Sequence, residues 1–290
     1  MKNILVPVDY SVHSDHAVRY AIEMAKKINA AIHFCHGLEI SQFNSMAGVM
    51  AWSAEIFSKM QVDAEEDLRK YIQQLKNELL LKDLYFPKIT YSIETGSVKQ
   101  FIAQLIEKQH FDLVIMGVAG AGKLARFFLG SNSRDVIEKT NVPILLIPKE
   151  ANYQQINKIA FATDLRESDL NAIHSLARLF CLYTPEILLA HVDEQHQNSN
   201  DPNSQVNLFL NRVTCKINYS KIYYRHINAA KVDEGLQWLI QNGQINMMVM
   251  VHRHPSIFTR ILNGSHTQKL AKTIQLPLLV MPEDNTPISW

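Results

Sequence analysis

Short runs rich in Val, Ile and Leu recur along this chain, separated by longer stretches in which apolar residues return every three or four positions. The runs Ile4–Val8, Ala31–Cys35, Leu113–Met116 and Val142–Ile147 have the length and β-branched character of strands buried on both faces. Between them, Ala17, Ala21, Met24, Ala25 and Ile28 form one helical stripe, and Asn29 suits its C-terminal end. Leu68, Tyr71, Ile72, Leu75 and Leu79 form a second stripe. Val98, Phe101, Ile102, Leu105 and Ile106 form a third, opened by Ser97 and Gln100 at capping-box spacing. A fourth helix is expected after Gly130-Ser131. Alternation of this kind predicts an α/β fold with a doubly wound, mainly parallel sheet.

The pattern then repeats. Ile4-Leu-Val-Pro-Val-Asp9 returns as Ile159-Ala-Phe-Ala-Thr-Asp164, 155 positions on, and His36 returns as His191 at the same offset. Later elements repeat at 134: Leu113–Met116 as Met247–Met250, Gly130-Ser131 as Gly264-Ser265, and Pro143 as Pro277. The change of offset places a deletion in the second copy between its second and third strands. Two constant offsets across many elements predict two tandem domains, residues 1–149 and 155–290, joined by the short polar stretch Lys149 to Gln155. Each would be a five-stranded, mainly parallel sheet with helices on both faces.

Candidate chemistry concentrates after the fourth strand. The segment Gly117-Val-Ala-Gly120-Ala-Gly-Lys-Leu-Ala-Arg126-Phe-Phe-Leu-Gly130-Ser131 has the spacing G-x2-G-x9-G-S. Glycines there let the backbone approach a ligand, and a helix N-terminus favours phosphate. Such a loop sits on the carboxyl rim, where open α/β sheets bind ligands. The same stretch also holds G-x4-G-K, from Gly117 to Lys123, but Leu124 stands where a P-loop needs Ser or Thr for magnesium.

With the opening strand carrying Pro7 and Asp9, the strand ending in His36 and the closing run Val142–Ile147, this loop resembles that of the universal stress protein family. It is most similar to the subgroup that binds ATP through G-x2-G-x9-G-(S/T). The resemblance covers nearly the whole chain. It implies an adenine nucleotide alpha hydrolase-like fold, with Pro7 and Asp9 near adenine and ribose. It further implies that Met116, Gly117 and Gly120 line ribose and phosphates, and that Gly130, Ser131, Asn132 and Ser133 hold the phosphates, with Arg126 within reach. ATP is the implied cofactor, with magnesium left open. Family members commonly pair through the last strand, here Leu145–Ile147 and Leu278–Val280, so an intramolecular pseudo-dimer is expected.

The second copy departs from the motif. Gly117 aligns with Val251, Gly120 with His254, and Val118-Ala119 with His252-Arg253. The expectation is a copy that keeps the fold and does not bind ATP in the family manner. His252, Arg253, His254 and His266 form a local cluster that reads as a polar or anion-contacting loop, with metal binding the lesser reading because no Cys or nearby carboxylate completes a spacing. His36 and His191 read as rim or core histidines. Residues 39–60 carry a Met-rich apolar stripe, read as core, lid or partner surface, and the corresponding 193–204 reads as a polar surface loop.

Composition narrows the function classes. With 29 basic and 28 acidic residues the net charge of +1 gives no footprint for nucleic acid or an anionic membrane. No apolar run approaches the ~20 residues of a membrane span, and no secretory leader pattern is expected. Three scattered cysteines fit a reducing cytoplasm. No nucleophile with its base is evident and no catalytic or metal residue is assigned, so a nucleotide-binding stress or regulatory protein with an unidentified protein partner is the leading reading. A slow ATP hydrolase or phosphotransferase using Asp9 and Ser131, a ligand-free interaction module, and association of two chains stay open.

Overall fold

The computed structural model describes residues 2–38, 54–80, 85–118, 136–137, 140–194, 202–253 and 275–283. Its centre is one ten-stranded sheet. The first half of the chain supplies β1 (Lys2–Pro7), β2 (Ala30–Leu38), β3 (Ile89–Thr95), β4 (Leu113–Val118) and β5 (Ile144–Pro148). The second supplies β6 (Lys158–Ala162), β7 (Glu186–Glu194), β8 (Ile222–Ala229), β9 (Met247–His252) and β10 (Leu278–Pro282). The order is β3-β2-β1-β4-β5-β10-β9-β6-β7-β8. Each half therefore winds outward from its first strand in both directions. All pairings are parallel except the central one, where β5 and β10 run antiparallel with Leu145 opposite Leu279.

The helices are α1 (Val12–Ile28), α2 (Ala54–Leu80), α3 (Val98–Lys108), α4 (Glu167–Leu179), α5 (Pro202–Lys216) and α6 (Val232–Asn242). Strand alternation divides them between the two faces. Ile4 and Val6 join the cluster that holds α1, α2, α4 and α5, whereas Leu5 joins the one that holds α3 and α6. Helix α1 stops where Asn29 adopts φ 52° and donates its N–H to the Ala25 carbonyl, a left-handed cap that asparagine tolerates well. At the start of α3, Gln100 Oε1 accepts both the Ser97 N–H (3.2 Å) and the Ser97 hydroxyl (2.9 Å). The fourth helix of the first half falls mainly on residues outside the described ones, as does most of the Met-rich segment 39–60. In the second half, β7 runs to Glu194 and α5 begins at Pro202, so both ends of the segment read as a surface loop are regular structure. Proline at a helix's first position removes only an N–H that would lack a helical partner.

The stretch between the halves exposes its polar residues and is anchored at a few points. His16 Nε2 donates to the Ala151 carbonyl (2.8 Å), Ile156 is buried, and Tyr153 meets Tyr20 edge-on and shares a hydroxyl–hydroxyl bond with Tyr183 at 2.9 Å. Lys2 reaches from β1 to the carbonyls of Arg178 and Leu179, at the end of α4. An ammonium there satisfies carbonyls left over at a helix C-terminus and favours its dipole.

One contact recurs with its sizes exchanged. In the first half β2 presents Gly37 to Phe101 of α3; a Cβ on Gly37 would lie 2.4 Å from the phenyl ring. At the two repeat offsets the equivalents are Val192 and Gly235, and a Cβ on Gly235 would lie 2.6 Å from a Val192 methyl. Large-on-small in one half becomes small-on-large in the other, and each pair fills the same strand–helix gap. Gly235→Phe is expected to destabilise the protein by about 3 kcal/mol, the upper end of overpacking costs. Adding Val192→Gly should recover most of that loss in urea denaturation. A double variant no more stable than the single one would refute this complementarity.

Candidate functional site

The topological switch point of the first half lies where β1 separates β2 from β4, and the chain leaves it in opposite directions. Pro7 ends β1, and its carbonyl receives the Ser14 hydroxyl at 3.4 Å. Asp9 follows on the exposed rim. Its Oδ1 accepts the Ser11 N–H at 2.9 Å, and Ser11 in turn caps α1 by accepting the Ser14 N–H at 3.2 Å. Tyr10, between them, is left-handed at φ 60°. The chain turns from strand to helix in four residues, which aims the positive end of α1 at the rim beside the Asp9 carboxylate.

Gly117, near the end of β4, closes the other side. A Cβ there would lie 2.1 Å from the His13 carbonyl oxygen and 2.5 Å from its carbon. No side chain fits, so the glycine is required by the approach of α1 to β4 as well as by any ligand. Met116 precedes it, buried on the opposite face among Leu5, Val114 and Leu146. The structure thus brings Pro7, Asp9 and Gly117 around the first turn of α1, with Met116 behind them. Gly120, Arg126, Gly130, Ser131, Asn132 and Ser133 lie outside the described residues. An exposed carboxylate, a helix N-terminus and a strand end stripped of side chain fit an anionic ligand carrying hydroxyl groups or an accompanying cation.

The second half builds the same rim and fills it. Val251 replaces Gly117, and its side chain is buried where the first half has none. Helix α1 rests against β4, whereas α4 makes hardly any close approach to β9. Arg253, at the position of Ala119, occupies the intervening space. Its Nη1 donates to Asp164 (3.1 Å), Nη2 to Ser168 (3.3 Å) and to Asp169, and Nε to Glu283 (3.1 Å). Asp164 stands where the first half has Asp9, so the carboxylate that is open in one half is engaged in the other.

Asp169 stands where the first half has Ser14. Its Oδ2 accepts the Thr163 hydroxyl (2.7 Å) and the N–H groups of Asp164 (3.2 Å) and Arg166 (3.4 Å), which organises the turn in place of the serine. Asp169 is fully buried and Arg253 is 8% exposed. Burial pushes the Asp169 carboxyl up, and the Arg253 charge with the Thr163 hydrogen bond opposes that rise. Two small neutral residues in one half have become a buried ion pair in the other. Residue-by-residue alignment carries this signal, Ser14 to Asp169 and Ala119 to Arg253, but neither change stands out alone. The expected polar loop after β9 therefore includes an arginine turned inward onto its own half. His252 is buried beside it, and His254 and His266 lie outside the described residues.

His36 and His191 lie within β2 and β7, which run on to Leu38 and Glu194 beyond the strand end expected at His36, and they bond in the same way. Nδ1 of His36 lies 2.7 Å from the Val8 carbonyl, and Nδ1 of His191 lies 2.9 Å from that of Thr163. A carbonyl only accepts, so each Nδ1 carries the proton and each ring caps the end of the neighbouring strand.

Breaking the buried pair leaves an uncompensated charge, whereas removing both partners does not. Arg253→Ala should lower unfolding free energy by about 3 kcal/mol. Arg253→Ala with Asp169→Ser, which restores the residues of the first half, should recover most of it in a denaturant double-mutant cycle. Additive losses would contradict the pairing.

The sequence profile of the universal stress protein family matches residues 1–148. Two universal stress proteins of Methanocaldococcus jannaschii are similar to this chain. One is 27% identical over 148 residues, covering 51% of this chain and 82% of the relative. The other is 26% identical over 159 residues, covering 51% and 96%. Among solved structures, a universal stress protein from Archaeoglobus fulgidus superposes with a TM-score of 0.73 at 17% identity, covering 97% of this chain and 98% of that one. A protein from Pseudomonas aeruginosa described as functionally unknown superposes with a TM-score of 0.60 at 13% identity, covering 98% and 94%. These structural likenesses concern the fold, whereas the profile matches the half of the chain that carries the open rim and the glycine loop. The chain belongs to the universal stress protein family.

Proposed function

We propose that this protein acts in a stress response or its regulation by binding ATP at a single site in its first half, without catalysis or with only very slow hydrolysis. The observation that carries this is the contrast between the two rims. Among the described residues no side-chain cation engages Asp9 beside the first turn of α1 and Gly117, whereas Arg253 engages the equivalent carboxylates of the other rim. The chain reads as two tandem domains, 1–149 and 155–290, the second retaining the fold and lacking the nucleotide loop. The repeated strand order and the exchanged glycine contacts support that division. Antiparallel pairing of β5 with β10 supports an internal pseudo-dimer.

In this reading Pro7 and Asp9 lie near the adenine and ribose, and Met116, Gly117 and Gly120 line the ribose and phosphates. Gly130, Ser131, Asn132 and Ser133 hold the phosphates, and Arg126 lies within their reach. Bound ATP supplies a triphosphate whose charge the α1 N-terminus and the loop N–H groups balance. Asp9 uses one oxygen on the Ser11 N–H and keeps the other for a ribose hydroxyl or for magnesium accompanying the phosphates. No described side chain forms a nucleophile–base pair in the cleft, which favours a switch over an enzyme. Two of the three free cysteines are exposed, which supports a reducing compartment such as the cytoplasm. No helix among the described residues is long and apolar enough to cross a membrane.

Mass spectrometry of nucleotide released from purified full-length protein is expected to find ATP or ADP, and added ATP should raise the melting temperature. Asp9→Ala should weaken ATP binding about tenfold, the loss of a charge-assisted hydrogen bond. Nucleotide-free protein with no ATP-dependent thermal shift would overturn the proposal.

A further inference from the structure

The sheet ends at two edge strands, β3 in the first half and β8 in the second. Among the described residues β8 pairs with β7 alone. A parallel strand bonds each neighbour through alternate residues. The Lys221 carbonyl accepts the Ile187 N–H at 2.8 Å, so Tyr223, Arg225 and Ile227 also turn their backbone groups toward β7. Ile222, Tyr224, His226 and Asn228 turn theirs outward, where no described strand meets them. Such a row of donors and acceptors is a template for a further strand.

The face of β8 beside α6 carries the side chains of an interface. Tyr223 is 50% exposed, and Trp238 of α6 is 46% exposed. Arg225, exposed on the same face of the strand, places its guanidinium carbon 5.7 Å from the centre of the Trp238 ring. Tryptophan, tyrosine and arginine are the residues that most often dominate binding energy between proteins. The other edge differs. Ile89, Tyr91 and Ile93 of β3 are partly buried, and the Tyr91 hydroxyl already bonds Arg69 and Glu65 of α2, both at 3.3 Å.

We propose that the β8 edge joins two copies of this chain, antiparallel about a two-fold axis at Tyr224. An axis perpendicular to the sheet makes the two surfaces identical and keeps each side chain on its own face. Centred on Tyr224, it sets Ile222 of one copy opposite His226 of the other, joined through their outward backbone groups. It sets Tyr223 of one copy opposite Arg225 of the other, at two symmetric points. These are the close, non-hydrogen-bonded pairs, with Cα atoms about 4.5 Å apart. Each guanidinium then meets its own Trp238 and the other copy's Tyr223, and aromatic faces attract a cation. Moving the axis to Arg225 opposes two guanidinium groups, and moving it to His226 sets Arg225 against the buried Ile227. Of the three registers, the one at Tyr224 gives the arginine a complementary partner. The ten strands of each copy then continue into one sheet, by the same antiparallel pairing that joins β5 to β10 within the chain.

Sedimentation velocity of the full-length protein over a concentration series tests the proposal. The wild type should pass from monomer to dimer as concentration rises. Tyr223→Lys sets an ammonium opposite Arg225 at both symmetric points and should weaken dimerisation about tenfold. Adding Arg225→Glu turns each point into an opposite-charge pair and should restore dimerisation to within about threefold of wild type. Tyr85→Lys, on the approach to the other edge strand, should leave dimerisation unchanged. All three variants alter exposed residues and should keep the wild-type urea midpoint. A wild type that stays monomeric, a dimer that Tyr223→Lys leaves intact, or a loss that Arg225→Glu does not reverse would overturn this pairing.

Discussion

The approach of α1 to β4 is the constraint on which the rest of the site depends. It brings a helix N-terminus to the carboxyl rim of the sheet, and it exists only because Gly117 has no Cβ to meet the His13 carbonyl. One methyl group at that position is incompatible with the geometry. In the second half Val251 supplies the side chain, α4 stands off β9, and the chain must fill the resulting space. Burying apolar atoms there would have sufficed for packing. Instead Asp169 organises the turn and Arg253 balances its charge, which costs desolvation on both partners and makes each dependent on the other. The side chain of Val251 and the buried pair of Asp169 with Arg253 together distinguish this rim from that of the first half.

The fold tolerates this because its apolar core covers the two faces of the sheet. Both halves share one continuous sheet, closed at its centre by β5 and β10 and covered on each face by a separate apolar cluster. Tyr20, Tyr153 and Tyr183 add a second seam between the halves, away from the cleft. The rim can then diverge while the core is held by exchanges such as Gly37–Phe101 for Val192–Gly235, in which the glycine and the side chain that covers it change places between strand and helix.

Much of this was legible in the sequence because strand and helix periodicities are local. The runs at Ile4, Ala31, Leu113 and Ile159 are strands, the Ala17–Ile28 stripe is a helix face, and Asn29 is its left-handed end. Asp9 and Gly117 stood out in the sequence as candidates, but the reason Gly117 must be glycine did not, since it depends on a carbonyl about a hundred residues away. The role of Arg253 was hidden for the same cause: its partners Asp164, Asp169 and Glu283 are distant in the chain and meet only in the fold. The polar residues of the stretch between the halves are exposed, as their composition suggests, but the anchoring of Ala151, Tyr153 and Ile156 among them was hidden because their partners are distant in the chain. The histidines His36 and His191 read as rim or core groups, and their fixed tautomers required the carbonyls they bond.

Two rims are built on one plan, and among the described residues only the second is occupied by its own arginine. Titration of the full-length protein with ATP, followed by calorimetry, should return one site per chain. Two equivalent sites would mean that Arg253 does not close the second cleft, and a stoichiometry of zero would mean that the first is not a nucleotide site.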